Sequence, residues 1–136
     1  MLSGGGITVA TGLALLVNLG TANAFCFSDA AIRYQVNEYV LRAIAQHESW
    51  MNPGIALRNA NGSLDLGLMG INTIHLEPGE PLYRGGFTAK MLLDPCTNVM
   101  TGAYLLRLKM NRFGNTWQAV GAYHSKKTLT MRGIKG

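Results

Sequence analysis

The stretch Ala43-Ile44-Ala45-Gln46-His47-Glu48-Ser49-Trp50, followed by Asn59-Ala60-Asn61-Gly62-Ser63 and then Leu66-Gly67-Leu68-Met69-Gly70-Ile71-Asn72, runs from an apolar-striped helix with one acid into a glycine-rich turn. Val40, Leu41, Ile44 and Ala45 recur at spacings of three and four, which predicts a helix with one face on a core. Asn37 is its expected N-cap, Glu38 in the first turn suits the helix dipole, and Pro53-Gly54 requires it to stop near Trp50. Glu48 lies four residues after Ile44 and seven after Leu41, on the apolar stripe and in the last turn. Burial and the C-terminal end of a helix dipole are, in general, both unfavourable to a carboxylate, and a glutamic acid that keeps its proton near neutrality is what a general acid requires. On spacing alone the alternative stays open: a Glu at the edge of the stripe, turned to solvent or paired with Arg42 or Arg58.

Downstream, Asn61-Gly62 is a strong turn signal and Leu64-Asp65-Leu66 alternates as a short strand does. Residues 68–72 either continue that strand or bend into the next helix. A hairpin with so little bulk at Gly67 and Gly70 can form the opposite wall of a groove, although the same glycines also fit an ordinary hairpin. Upstream, Ser28 is the expected N-cap of a short first helix. The proline- and glycine-rich segment from Glu77 to Gly86 reads as a loop. Asp94-Pro95 is a cap followed by proline at the first helical position, and Val99, Met100, Ala103, Tyr104, Leu106 and Met110 recur at helical spacing up to Phe113-Gly114. Asn115 or Thr116 caps a final helix through Trp117, Val120 and Tyr123. The expected class is α+β, mostly helical, with a small β-hairpin.

Length fits one domain. Residues 1–24 carry no charged side chain; Ile7 to Leu19 is mostly apolar but short for a membrane span, and Thr21-Ala22-Asn23-Ala24 offers small residues to a signal peptidase. The reading is a secretory signal over 1–24, cleaved before Phe25, with an uncleaved anchor as the alternative, and a domain over 25–136. Two cysteines, Cys26 and Cys96, in an oxidising periplasm read as one disulfide closing a loop of about 70 residues, stabilising by roughly 4 kcal/mol; without export, two free thiols are expected. The net charge of +5, from 12 basic and 7 acidic residues, suits an anionic partner. Export argues against nucleic acid. His47-Glu48 begins like a zinc-protease motif, but position 51 is Met, and His75 and His124 have no ligand-like spacing, so no metal is expected.

Taken together, four blocks resemble one family. They are Glu48-Ser49 after the Ala-Ile-Ala helix; Asn59 to Asn72 with Asn52-Pro53 before it; Leu93-Asp94-Pro95-Cys96-Thr97-Asn98-Val99; and Ala119-Val120-Gly121-Ala122-Tyr123. In this order over residues 26–124 they resemble lytic transglycosylases of the soluble, lysozyme-like type, in particular small periplasmic members that accompany type IV secretion, conjugation and pilus machines. The resemblance implies a goose-lysozyme-like fold and cleavage of peptidoglycan between N-acetylmuramic acid and N-acetylglucosamine, with a 1,6-anhydro product and no cofactor. It implies that Glu48 is the single acid/base, that Ser49 supports it by a hydrogen bond, and that Met69 and the backbone of Gly70 line the sugar site. Tyr123 would aim its hydroxyl at Glu48 or substrate, and Asp65 would be a hairpin hydrogen-bonder and not a nucleophile. The implied partner is the glycan strand, with components of an envelope apparatus beside it, and the protein is expected as a monomer.

The chain departs from the family pattern at Gly70, usually Gln; at Trp50, usually smaller and here expected beside the groove; and at His124, usually Asn. A tail over 125–136 is short for the customary last helix. Gly70, Trp50 and the short tail motivate a competing reading, a non-enzymatic wall-binding or assembly protein with a decayed active site; a third reading is a lysozyme-type hydrolase, which would leave a reducing muramic acid. Gly70→Gln is expected to raise activity roughly two- to tenfold by restoring one hydrogen bond, on condition that the backbone needs no positive φ there.

Overall fold

The computed structural model describes residues 25–125; the expected signal segment and the tail from residue 126 lie outside them. Element order is α1 (Phe27–Tyr34), α2 (Glu38–Ser49), β1 (Ala56–Arg58), β2 (Leu64–Leu66), β3 (Ile71–Asn72), a 3-10 turn (Thr73–Leu76), α3 (Pro81–Arg84), α4 (Ala89–Leu92), α5 (Pro95–Phe113) and α6 (Trp117–His124). This is the α+β, mostly helical architecture that the periodicity predicts.

Local chemistry sets the helix ends. Asn37 Oδ1 accepts from the amides of Tyr39 and Val40, starting α2. Asp94 Oδ2 accepts from Thr97 N ahead of Pro95, starting the 19-residue α5, and Thr116 Oγ1 accepts from Ala119 N at the head of α6. Ser28 is not the cap of α1. That helix begins earlier, at Phe27, whose side chain is buried, and Ser28 Oγ instead donates to Glu38 Oε2 at 2.9 Å. Glu38 also accepts from Arg42, whose guanidinium lies 4.7 Å from the centre of the Phe27 ring, so α1 and α2 are tied by charge and packing together.

The hairpin is one strand richer than expected. β1, β2 and β3 form an antiparallel sheet in that order, with Ala56 opposite Leu66 and Leu66 opposite Ile71. The loop expected over 77–86 contains the single turn α3, because Pro81 occupies a first helical position and Leu82 is drawn into the core. The short α4, capped by Thr88, had no periodic signal.

Helix α5 runs through the middle: Val99, Ala103 and Leu106 are buried, and Leu41, Ile44, Leu66, Leu68, Met69, Ile71 and Leu92 join them in one core. Cys26 and Cys96 are disulfide-bonded, fastening the start of α1 to the first turn of α5 as expected.

Candidate active site

Glu48 stands in the last turn of α2 with its side chain 13% exposed. Arg42, a candidate partner on spacing, is bound to Glu38 instead. The Glu48 carboxylate faces a cavity of about 90 Å³ whose lining includes Asp65, Gly70, Asn72, His75, Tyr123 and His124. On its other side an apolar groove of about 270 Å³ runs between α2 and α6 past Tyr39, Val40, His47 and Trp117. Glu48 therefore sits where two concavities meet.

The turn between β2 and β3 forms the wall opposite α2. Gly70 has φ +59°, and a Cβ built there would lie 2.8 Å from Glu48 Cβ and 2.9 Å from its Oε2. Only a residue without a side chain allows the turn to come this close to the acid in this conformation. Gly67, with φ +68°, is in the same position relative to Asn98, whose Nδ2 would be 2.4 Å from an added Cβ.

Three side chains from three helices hold this turn in place. Asn98 of α5, fully buried, donates through Nδ2 to the carbonyls of Leu66 and Leu92 and accepts at Oδ1 from Met69 N. Both N–H groups and the oxygen of its amide thus have backbone partners, as a buried polar side chain requires. Ser49 Oγ is 2.8 Å from the Leu68 carbonyl and 2.9 Å from that of Ala45. Tyr123 of α6 donates its hydroxyl to the Met69 carbonyl at 2.8 Å. Asn98 lies in one of the motif blocks but has no legible role in sequence, since its partners are up to 32 residues away.

Several expected roles change accordingly. Ser49 is buried and bonds main-chain carbonyls, so it positions the turn and does not bond the Glu48 carboxylate. Met69 is also fully buried, with its side chain against Gly102, where an added Cβ would lie 2.7 Å from Met69 Cβ; it packs the core and does not line the cavity. Gly70 does line it. Tyr123 borders both concavities, but its hydroxyl is committed to Met69. Burial, and then the charges of Glu48 and Asp65, push the Tyr123 hydroxyl well above its ordinary pKa, so it stays a donor. Trp50 is 81% exposed and borders neither concavity, because it is the left-handed C-cap of α2 and turns away from the groove.

Asp65 reaches the same cavity from β2, and its Oδ1 accepts from Asn72 Nδ2 at 2.8 Å, as expected of a hairpin hydrogen-bonder. One contact was not legible at all: His124 Nδ1 lies 2.6 Å from Glu48 Oε1, and the His124 ring meets that of His47 edge-on at 4.9 Å. Glu48 and His124 are 76 residues apart, so no local spacing rule brings them together.

Comparison with known proteins identifies the family. The invasion protein IagB of Salmonella typhimurium is 42% identical over 111 residues, which are 81% of this chain and 68% of that protein. Protein IpgF of Shigella flexneri is 38% identical over 114 residues, 83% of this chain and 72% of its own length. An X polypeptide of Escherichia coli is 36% identical over 101 residues, covering 74% and 58%. The model of the transglycosylase SLT domain matches residues 25–135. The chain therefore belongs to the transglycosylase SLT family, lytic transglycosylases whose substrate is peptidoglycan and whose place is outside the cytoplasm.

Proposed function

We propose that this protein cleaves the β-1,4 bond between N-acetylmuramic acid and N-acetylglucosamine with Glu48 as the only acid/base, leaving a 1,6-anhydromuramic end. Glu48 gives its proton to the glycosidic oxygen as the bond from that oxygen to the muramyl C1 breaks. The muramyl C6 hydroxyl then closes on C1 and returns its proton to Glu48, so water is not consumed. This differs from two-carboxylate glycosidases, which need a nucleophile or a base to handle water. The observation that carries the reading is a largely buried carboxylate at the meeting point of a cavity that Asp65, Asn72 and His75 help to line and an apolar groove. Asp65, the other acid in the cavity, is engaged by Asn72.

The exposed rings of Tyr39 and Trp117 on the groove are suited to stacking on sugar faces. In this reading residues 1–24 export the chain to the periplasm, where it opens the wall locally for an envelope-spanning secretion or conjugation apparatus. The deciding experiment is mass spectrometry of products from purified sacculi. Wild type should release anhydromuropeptides, and folded Glu48→Gln should release none, because an amide cannot shuttle the proton. Reducing muramic ends would identify a hydrolase, and cleavage at the wild-type rate by Glu48→Gln would remove Glu48 from the chemistry.

A further inference from the structure

We propose that His47, Glu48 and His124 form a site for a divalent cation of the zinc class, and that occupancy of this site switches the acid off. The second half rests on the reading of Glu48 as the acid/base; the first half does not. One ligand-type atom from each of the three residues lies within 4.8 Å of the others. His47 and Glu48 are adjacent in the last turn of α2, while His124 arrives from the end of α6, so the donors converge from two helices that the core fixes relative to each other.

Two imidazoles and one carboxylate are the donor set of an open three-ligand zinc site, with further positions left for water. Imidazole also favours this part of the first transition series over magnesium or calcium. The adjustment required is small. Zinc–nitrogen and zinc–oxygen distances of about 2.0–2.2 Å place ligand atoms roughly 3.3 Å apart. The direct contact of 2.6 Å between His124 and Glu48 must therefore open by several tenths of an ångström, while the looser His47 closes in. Both histidines are exposed, His124 to 60% in its side chain, so rotamer shifts suffice and α2 stays where it is.

A cation on the Glu48 carboxylate occupies the lone pairs that would carry the proton. Glu48 then neither protonates the leaving oxygen nor receives the proton from the C6 hydroxyl. The His47-Glu48 pair by itself carries no such inference from sequence, because position 51 is Met; the third donor is supplied by the fold.

The test uses untagged, disulfide-bonded protein titrated with Zn²⁺ by calorimetry and with Co²⁺ by its visible absorption, for wild type, His47→Gln and His124→Asn. One saturable equivalent is expected, with each substitution weakening affinity by about tenfold or more, or at least 1.4 kcal/mol. Release of anhydromuropeptides by wild type should fall about tenfold at a free Zn²⁺ concentration ten times the dissociation constant, and the inhibition should shift in parallel in both variants. Absence of saturable binding, binding unchanged in both variants, or inhibition unchanged in both would overturn the proposal. Zinc binding with no cleavage by any form supports the site and removes the catalytic reading. Cleavage without zinc binding does the reverse.

Discussion

Replacing Gly70 by alanine or glutamine perturbs the closest approach in the site. At φ +59° a residue with a side chain costs about 1–2 kcal/mol relative to glycine. The new Cβ also starts 2.8 Å from Glu48 Cβ, an atom fixed to the α2 backbone and unable to swing aside as Oε2 can. The turn is equally constrained, held by Asn98, Ser49 and Tyr123. The strain therefore divides between main-chain segments, and a total loss of about 2–3 kcal/mol in stability is expected. For a domain of this size that corresponds to a Tm lower by about 4–8 °C per kcal/mol.

The consequence for turnover is larger. A shift on the order of 1 Å in a catalytic group costs about 100-fold in rate, so folded Gly70→Ala should release anhydromuropeptides roughly 10- to 100-fold more slowly. Gly70→Gln should do no better. Sequence resemblance alone gave the opposite sign, a gain from the restored amide, but its condition of no positive φ is not met. The assay pairs denaturant midpoints with product release at fixed folded fraction. A Gly70→Gln protein of wild-type stability with equal or faster release would refute the steric argument.

Asn98→Ala should be more damaging to stability than Gly70→Ala, since it leaves Met69 N and the Leu66 and Leu92 carbonyls without their partner; a loss of about 3 kcal/mol or more in urea titrations is expected, and under 1 kcal/mol would show that the turn has other support. Reduction, or Ser at both Cys26 and Cys96, should cost about 2–5 kcal/mol, read as a fall in the urea midpoint, with no change if the loop is already restrained in the unfolded chain. The raised pKa of Tyr123 predicts a pH effect. The unfolded tyrosine ionises near its ordinary 10.0 while the folded one keeps its proton, so the unfolded state binds fewer protons and stability falls as pH rises beyond that value. Tyr123→Phe should start about 1 kcal/mol less stable and lack this part of the alkaline decline; parallel curves for the two proteins above pH 10.0 would contradict it.

Features that depend on neighbours within a turn of chain were legible in the sequence. Asn37, Asp94-Pro95 and Thr116 start their helices because a cap satisfies amides two or three positions away, and the stripe from Val40 to Ala45 fixes which face of α2 is buried, with Glu48 on it. The ordered motif blocks and the pair of cysteines were equally legible. Where the motif side chains point was decided by tertiary packing. Ser49 and Met69 stand beside site residues in sequence yet turn into the core, because helix and turn present successive side chains to different faces. Gly70 could be read as an absent amide, but only the approach of the turn to α2 shows that the missing side chain leaves room for the acid. His124 meets Glu48 because the end of α6 comes against the last turn of α2, a relation between residues 76 positions apart on which no local spacing carries information.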